Sequence, residues 1–497
     1  MTMEPRNIPE LLRQRAAASA DKVFLFSEAD KRQFTYREFE AAVWSVAGML
    51  VAHGIGKGDV VSLLLPNSAE YIIAYFACWE LGALAGPVNG QLKAQEIEYV
   101  VGNSEAKLML VSSAFLAKVE TIPIPRVVFD SVSEVGHGFD GPRTDQIKQE
   151  DEAIIIYTSG TTGKPKGCLL THGNIIANAR QISEWLGFTK KDRLLTIMPL
   201  FHMNAVSVTT MSALYAGAST VVSPRFSASR FWEIISEYQI TSFGSVATML
   251  SMLLSTYPDG VPEGLKTDQL RFAMCGSAPV PAEILRQFEE TFNCLVVEGY
   301  GLSESTCRST FNPPDERRRP GSCGLPIGNE MRVVDEEDQD VPDGELGEIV
   351  LRGANILKGY FKNDAATETA FRNGWFHTGD IGYRDADGFY FIVDRKSDMI
   401  IRGGENIYPR EIDEVLYQHP QIAAAAVIGI PDELYGEEVA AVVVLKPEAQ
   451  ISEKEVIEFC KARLADYKCP KTVRFVEDIP KGPTGKLLKR ELAQMFR

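Results

Sequence analysis

The feature that most constrains the fold of this chain is an alternation of short, β-branched apolar runs with amphipathic stretches. Apolar runs of this length predict strands, and the amphipathic stretches between them predict helices. The strands expected in the first part of the chain cover residues 60–65, 108–112, 153–158, 194–198, 219–223 and 271–275. This βαβ pattern favours α/β layers built on largely parallel sheets.

The 497 residues are too many for one hydrophobic core, since single cores stop growing at about 250–300 residues. An acidic stretch at 335–343 predicts a hairpin loop on a separate β-barrel-like subdomain. A charged segment at 394–398 then interrupts an apolar strand, and the rest of the chain has its own helix and strand pattern. We therefore expect an N-terminal domain at 1–393, a hinge at 394–398 and a small α+β domain at 399–497.

The formal net charge of −16 argues against polyanionic partners such as nucleic acid. A phosphate-bearing ligand would need local cations or backbone N–H groups. The eight cysteines form no CxxC pair and no zinc-type cluster with histidine. The N-terminus has no apolar signal segment, and Glu80 and glycines interrupt the longest apolar run, 71–88. We expect a cytoplasmic protein without a membrane span.

The segment from Tyr157 to Gly167, Y-T-S-G-T-T-G-K-P-K-G, follows an apolar strand. Its glycines allow close backbone approach, and its hydroxyl, N–H and lysine groups can bind phosphate oxygens. It differs from the Walker A loop because Pro165 follows Lys164 where that loop needs Ser or Thr. The pattern favours a phosphate-binding loop over an ordinary surface loop. Apolar residues at 175, 179, 182 and 186 predict that a helix follows it.

Further motifs occur in order along the chain. They are P-L-F-H ending at His202, G-S-A-P from Gly276, E-G-Y-G-L-S-E-S from Glu298, W-F-H-T-G-D ending at Asp380, R-G-G-E-N-I-Y-P from Arg402 and P-K-G-P-T-G-K ending at Lys486. Each motif alone also has a plain structural interpretation, as a strand end, a turn or a charged surface. An aromatic ring can stack on a base, and a carboxylate suits Mg²⁺.

Together these motifs resemble the adenylate-forming superfamily of acyl-CoA synthetases, peptide-synthetase adenylation domains and beetle luciferases. The resemblance runs from Phe34 to Lys486. It implies a large N-terminal domain that binds ATP and an acid, and a mobile C-terminal domain. It also implies an AMP-forming acid–CoA ligase. Carboxylate and ATP·Mg²⁺ would give acyl-AMP and pyrophosphate, and coenzyme A would then take the acyl group.

The resemblance implies roles for individual residues. The phosphate loop would bind ATP through Thr158, Ser159, Gly160, Thr161, Thr162, Gly163 and Lys164. The adenine and the acyl carbonyl would lie beside Gly276, Ser277, Ala278, Glu298, Gly299 and Tyr300, with the Tyr300 ring stacked on the base. Ser303 would contact the α-phosphate, Glu304 and Thr162 would hold Mg²⁺, and Asp380 and Arg395 would bind the ribose.

The resemblance implies a catalytic lysine and a rotating domain. Lys486 would bridge the carboxylate and the α-phosphate, where its ammonium offsets the repulsion of two anions. His202 would gate the acyl pocket. After adenylation, the face with Gly403 and Gly404 would turn in to line the coenzyme A tunnel. The hinge position is Ser397, where relatives often have Asp or Lys, and a serine still permits rotation.

The acid is partly defined by Met203, which stands where amino-acid-activating relatives place an aspartate. Amino acids are disfavoured, because a buried ammonium without a partner is unfavourable. The expected pocket is small and uncharged, and comprises His202, Met203, Asn204, Ser245, Val246, Cys275, Gly276 and Gly301. Such a pocket favours a medium-chain or aromatic acid without a second charge. Residues 201–204 resemble carnitine-type and chlorobenzoate-type CoA ligases.

Three alternatives stay open at this point. The chain could be a stand-alone adenylation enzyme that loads a carrier protein, or a luciferase-like oxidase. It could also be a nucleotide-binding sensor without turnover, although intact Lys486, Glu304 and Asp380 argue against a sensor. The sequence leaves open a homodimer.

Overall fold

The computed structural model describes residues 4–135, 146–158, 165–276, 282–480, 492–493 and 495–496. Its α-helices are α1 (Ile8–Ala18), α2 (Tyr36–Ala52), α3 (Ala69–Glu80), α4 (Ala94–Asn103), α5 (His172–Trp185), α6 (Ser212–Ala216), α7 (Phe231–Glu237), α8 (Ala247–Thr256), α9 (Ala282–Phe292), α10 (Asp364–Ala370), α11 (Pro409–Tyr417) and α12 (Glu453–Lys461). A π-helix, Asn204–Met211, leads directly into α6.

The strands before residue 300 are β1 (Val23–Ser27), β2 (Gln33–Thr35), β3 (Val60–Leu64), β4 (Leu84–Pro87), β5 (Leu108–Val111), β6 (Arg126–Val128), β7 (Glu152–Thr158), β8 (Lys166–Thr171), β9 (Arg193–Thr196), β10 (Ser219–Val222), β11 (Ser242–Ser245), β12 (Phe272–Cys275) and β13 (Leu295–Glu298). The later strands are β14 (Thr310–Phe311), β15 (Leu325–Pro326), β16 (Glu330–Val334), β17 (Gly347–Arg352), β18 (Gly359–Tyr360), β19 (Phe371–Arg372), β20 (Trp375–Arg384), β21 (Tyr390–Arg395), β22 (Ile400–Arg402), β23 (Glu405–Ile407), β24 (Ile422–Asp432), β25 (Gly436–Leu445) and β26 (Thr472–Phe475).

Two seven-stranded sheets form the layers of the N-terminal part. The first has the order β13-β12-β11-β9-β10-β1-β2 and is parallel except for β2. The second has the order β18-β8-β7-β4-β3-β5-β6, with β8 and β18 antiparallel at one end. The layered α/β architecture predicted from the sequence is confirmed.

Helix α3 joins the two sheets because it contacts strands of both, and each of its residues is buried. Ser68 caps it by accepting a hydrogen bond from the Tyr71 N–H at 3.2 Å. The buried polar tips of its aromatic residues all have partners on the surrounding backbone. Tyr71 Oη donates to Leu63 O, Tyr75 Oη to Leu200 O and Trp79 Nε1 to Ala153 O.

Strand β8 is one of several strands that the sequence analysis does not predict. The helix predicted to follow the phosphate loop is preceded by β8, which pairs antiparallel with β7. The chain therefore returns along the sheet before α5 begins, capped by Thr171. Strands β7 and β8 therefore pair on either side of the phosphate-loop segment, whereas in Walker A proteins a helix follows the loop directly.

Of the remaining strands, β14 and β15 form a two-stranded sheet, β16, β17, β19, β20 and β21 form an antiparallel sheet, and β22 to β26 form a C-terminal sheet. The C-terminal part has its own hydrophobic core between α11, α12 and that sheet. Strand β21 runs on to Arg395, so the charged segment at 394–398 does not interrupt it where the sequence suggests. Residues 396–399 form the turn that leaves it. None of the described helices is long and apolar enough to cross a bilayer.

Candidate active site

The carboxyl ends of β11, β12 and β13 meet at one edge of the first sheet, where Ser245 pairs with Cys275 and Cys275 with Glu298. Such edges are where open α/β sheets bind ligands. The chain that continues from β12 and β13 is packed backbone against backbone. A Cβ atom on Gly276 would lie 2.5 Å from the Gly299 oxygen, and one on Gly301 would lie 2.0 Å from the Cys307 oxygen. Only glycine fits at these positions.

Asp380, Arg395 and Tyr300, predicted to bind the nucleoside, are brought together by the structure. Asp380 of β20 and Arg395 of β21 are register partners, and Arg395 Nε lies 3.1 Å from Asp380 Oδ1. Tyr300 Oη donates to Asp380 Oδ2 at 2.5 Å. Burial and the Asp380 carboxylate raise the pKa of Tyr300 well above its usual value, so its hydroxyl stays protonated.

Glu304 lies nearby on a 3₁₀ turn, 303–305, that begins at the partly exposed Ser303. Its Oε1 accepts a hydrogen bond from Tyr360 Oη at 3.1 Å, and its backbone oxygen accepts from the Leu357 N–H at 2.7 Å. The turn is thereby tied to the segment before β18. The Lys166 ammonium stands 5.1 Å from the centre of the Tyr360 ring.

The described residues fit a Mg²⁺ ion that arrives with a nucleotide. They contain no group of three or more His, Cys, Asp or Glu side chains able to hold a metal on its own. Glu304 offers one partly exposed carboxylate. Mg²⁺ is commonly bound by one or two carboxylates together with substrate phosphates and water.

Thr158, at the end of β7, and the side chain of Glu304 both lie beside Cys168 of β8. Thr158 Oγ1 lies 3.8 Å from the Cys168 sulfur. Burial raises the pKa of the Cys168 thiol, and the nearby Glu304 carboxylate raises it further. Other predicted site residues lie outside the described residues, namely Ser159, Gly160, Thr161, Thr162, Gly163, Lys164, Ser277, Ala278 and Lys486.

His202 lies in the turn before the π-helix, with its ring centre 4.6 Å from that of Phe201. Burial lowers the pKa of His202 to about 4, so the ring is neutral at pH 7. Its Nε2 is buried without a hydrogen-bond partner in the described structure, as are both side-chain polar atoms of Asn204. π-helical turns frequently occur at functional sites.

Glu298 ends β13 and is 7% exposed. Its Oε2 accepts a hydrogen bond from the Gly321 N–H at 2.9 Å. Burial raises the pKa of Glu298 to about 8, against the lowering effect of the Gly321 N–H and of Arg410. The carboxyl group therefore faces Gly321 and α11, and a direct contact with nucleotide stays a prediction.

Gly403 and Gly404 form the exposed two-residue turn of the β22–β23 hairpin. Their φ angles of 58° and 94° suit a hairpin turn that favours glycine. The Gly403 N–H donates to the Tyr435 oxygen at 2.9 Å. None of the contacts found among the described residues joins this hairpin to Asp380 or Glu304. A role in coenzyme A binding stays a prediction.

Sequence reasoning missed Arg308, which is 1% exposed. Its Nη2 would lie 2.8 Å from a Cβ on Gly276. The prediction of an uncharged acyl pocket omitted this guanidinium. The available signal was an arginine inside T-C-R-S-T-F, an otherwise uncharged run between Glu304 and β14.

Comparisons with known proteins match this geometry. Residues 12–361 match the AMP-binding enzyme family, and residues 411–486 match the C-terminal domain of AMP-binding enzymes. The chain is 35% identical to the sulfoacetate–CoA ligase of Cupriavidus necator, over 97% of this chain and 96% of that one. It is also 35% identical to a long-chain-fatty-acid–CoA ligase of Mycobacterium tuberculosis, over 99% of both chains.

A solved structure shows the same fold with an intermediate bound. It is the o-succinylbenzoate CoA synthetase of Bacillus subtilis with its acyl-adenylate, at a TM-score of 0.88, 33% identity and coverage of 99% of this chain and 98% of that one. The same enzyme has been solved with ATP and magnesium. The chain therefore belongs to the AMP-binding enzyme family and, within it, to the acid–CoA ligases that work through an acyl-adenylate.

Proposed function

We propose that the site at the carboxyl edge of the first sheet converts a carboxylic acid, ATP and coenzyme A to acyl-CoA, AMP and pyrophosphate, with the residues assigned below. The observation that carries these assignments is the cluster of the buried Asp380 with the partly exposed Arg395 and Tyr300, close to Glu304. An ionised carboxylate has about four lone-pair positions. Arg395 and Tyr300 orient the Asp380 carboxylate, and we assign to it the role of accepting hydrogen bonds from the ribose hydroxyls.

In the first half-reaction, a carboxylate oxygen of the acid attacks the α-phosphorus of ATP. An O–P bond forms, and the bond from that phosphorus to the pyrophosphate oxygen breaks. The two reacting groups are both anionic, so a positioned cation stabilises the transition state. We assign this role to Lys486, and Mg²⁺ bound by Glu304 would neutralise charge on the phosphates.

In the second half-reaction, the coenzyme A thiol loses its proton and its sulfur attacks the acyl carbonyl. A C–S bond forms, and the C–O bond to AMP breaks. We propose that the C-terminal domain, 399–497, turns about the segment 394–398 between the two steps. The turn would withdraw Lys486 and bring the Gly403–Gly404 hairpin to the site, so one site would serve both transition states.

The acid binds, in this proposal, between His202, Asn204 and Gly276. The relatives differ widely in this respect, because sulfoacetate and o-succinylbenzoate carry a second acidic group and a long-chain fatty acid does not. The pocket residues favour a medium-chain or aromatic acid by size. Because Arg308 places a guanidinium at this pocket, the expectation of an uncharged pocket no longer disfavours an acid with a second anionic group.

We also propose a cytoplasmic location. All eight cysteines are free thiols, although Cys460 and Cys469 lie close enough to influence each other electrostatically. Unpaired cysteines are typical of proteins in reducing compartments. Fractionation of cells that produce the protein at native levels would test this.

The test of the function is mass spectrometry of purified protein with ATP, Mg²⁺, coenzyme A and a panel of acids. The panel runs from acetate to palmitate and includes benzoates, cinnamates and dicarboxylates. Acyl-CoA and AMP formed in equal amounts from a narrow subset are expected, and Asp380→Ala should raise the KM for ATP. Acyl-AMP without thioester would favour loading of a carrier protein. No acid-dependent AMP from any acid would contradict the proposal.

A further inference from the structure

Among the residues that the structure describes, Arg308 beside Gly276 has a buried guanidinium with two nitrogens that lack a hydrogen-bond partner. Arg308 is 1% exposed, and its Nε and Nη2 are buried without hydrogen-bond partners in the described structure. Its nearest aromatic neighbour is the Phe311 ring, 5.4 Å from Cζ. No ion pair of Arg308 occurs among the described residues. Burying an unpaired charge is unfavourable, so its persistence requires a cause.

The backbone around Arg308 is held firmly while its side chain is left unpaired. The Arg308 oxygen accepts hydrogen bonds from Asn178 Nδ2 at 2.7 Å and from Asn355 Nδ2 at 3.2 Å. Its N–H donates to Asn178 Oδ1 at 3.3 Å. Thr306, two residues earlier, has a φ of 64°, which is rare for a β-branched residue. Strain of this kind persists where surrounding contacts enforce it, often at functional sites.

The guanidinium lies beside the end of β12, the strand next to the one that Asn204 contacts. Its Nη2 faces Gly276, beside which the proposed function places the acyl carbonyl. Asn178 connects Arg308 to the π-helix, because Ser207 Oγ donates to Asn178 Oδ1 at 3.0 Å. The same π-helix begins at Asn204, whose buried amide has no partner in the described structure.

Asn204 lies over the neighbouring strand of the same sheet. A Cβ on Gly244 of β11 would stand 3.0 Å from Asn204 Oδ1. Buried polar groups in native proteins are nearly always hydrogen-bonded, so the unpaired groups of Arg308 and Asn204 beside two neighbouring strands indicate a polar ligand. One of these groups is a full positive charge in a chain of net charge −16, so the missing ligand group is an anion.

We propose that Arg308 determines acid specificity by binding a second anionic group of the substrate. The acid is then a short molecule with two anionic ends, such as a dicarboxylate or a sulfonated carboxylate. One end is adenylated, and the other accepts hydrogen bonds from the planar guanidinium fork. The two ends are separated by few bonds, because a Cβ on Gly276 would lie only 2.8 Å from Arg308 Nη2. The inference rests on the proposed function, which places the acyl carbonyl at Gly276.

The test compares matched acids that differ only in the second charge. The pairs are propionate with malonate and butyrate with succinate, and sulfoacetate separates sulfonate from carboxylate recognition. The kcat/KM for acid-dependent AMP release is measured with wild type, Arg308→Met and Arg308→Lys. At least one dianion should exceed its matched monoanion in wild type. Arg308→Met should lower kcat/KM for that dianion about 10²-fold or more, while the monoanion changes little.

A matched control is Arg193→Met at the start of β9. Arg193 is also partly buried, but it donates to the Tyr238 oxygen at the opposite end of the strand from the site. This variant should keep the dianion preference. A thermal midpoint of ligand-free Arg308→Met equal to or above that of wild type is also expected, since the variant removes an unpaired buried charge.

The outcomes separate the inference from the proposed function. Turnover of monoanions alone, or an equal loss of both acids in a less stable Arg308→Met protein, would overturn the inference and leave the ligase intact. If no acid supports AMP release, the proposed function and the inference both fail. If Arg308→Met does not fold, Arg308→Lys decides, because it keeps the charge without the fork. It should retain the dianion preference with a higher KM, and loss of that preference would overturn the inference.

Discussion

Gly301 shows how a single absent methyl group determines the shape of the site. A Cβ there would lie 2.0 Å from the Cys307 oxygen and 2.8 Å from the Arg308 Cα. Both contacts are with backbone atoms, which cannot move away without disturbing the surrounding structure. Gly301→Ala should therefore lower the free energy of unfolding by about 1–3 kcal/mol or more, the range for overpacked cores. It should also abolish acid-dependent AMP release.

The matched control is Gly102→Ala in α4, where a Cβ would meet nothing within 4 Å. Alanine is favoured over glycine in helices by about 0.5–1 kcal/mol, so this variant should be as stable as wild type or slightly more stable. Urea unfolding and AMP release measure the two effects. Equal behaviour of the two variants would show that the backbone at Gly301 is not tightly packed.

His172 should make the protein sensitive to acid. The side chain is fully buried at the start of α5, and burial lowers its pKa to about 3 from an unfolded value near 6.5. Between these values the unfolded chain binds more protons than the native one, so stability falls as the pH drops below 6.5. His172→Gln should reduce the loss of unfolding free energy between pH 7.5 and 5.5 by about 1.4 kcal/mol. Urea unfolding at both pH values measures this, and identical pH dependence would contradict it.

Single residues also show what sequence can and cannot reveal. The family resemblance assigns Asp380, Arg395 and Tyr300 to the nucleoside, and the structure brings them together, with Tyr300 donating a hydrogen bond to Asp380 and Arg395 forming an ion pair with it. Arg308 was not predicted, because a charged residue in a short run is normally exposed. Its burial depends on Asn178, 130 positions away, which holds its backbone. Contacts of that separation leave no local pattern.

At the scale of elements, several strands begin and end close to the residues that the sequence predicts. The predicted strand 219–223 is observed as Ser219–Val222, and the predicted strand 108–112 as Leu108–Val111. Strand β8 was missed because its short run, K-G-C-L-L-T, directly follows the glycine-rich loop. It becomes a strand by pairing with β7 and β18, and pairing is a tertiary property.

The hydrogen bonds between α11 and β21 should stabilise the turn at 396–399 against local unfolding. Arg410 donates its backbone N–H to Asp394 Oδ2 at 3.1 Å and its guanidinium to the Ile392 oxygen. Arg410→Ala removes the second bond, about 1 kcal/mol of local stability. The amides of Lys396, Asp398 and Met399 should then exchange with deuterium about fivefold faster. Arg463→Ala, an exposed arginine on Phe459, is the control. Unchanged amide exchange rates in the turn of Arg410→Ala would show that Arg410 does not stabilise it.

At the scale of the whole molecule, the C-terminal part has a core of its own. Its described contacts with the rest of the chain include the Arg410 bonds to β21 and the electrostatic influence of Lys446 on Glu283. Separate cores joined by a short segment permit domain motion. The sequence could predict the presence of this part from its separate pattern. It could not predict its orientation, which depends on a few surface contacts.

The two-conformation account predicts that the half-reactions can be lost separately. Lys486→Ala should slow acyl-AMP formation by about 10²–10³-fold, as for other groups that stabilise transition-state charge. It should still convert supplied acyl-AMP and coenzyme A to product. Gly403→Leu should do the opposite, because Gly403 has a φ of 58° and lies against the Tyr435 ring.

Gly344→Leu, at a similarly positive φ in an open loop, is the control for backbone strain, and Lys489→Ala is the control for charge. Pyrophosphate release and thioester formation, followed separately in single-turnover experiments, measure the two steps. If Lys486→Ala and Gly403→Leu each lose both steps equally, one fixed arrangement carries out the whole reaction and the domain does not need to turn.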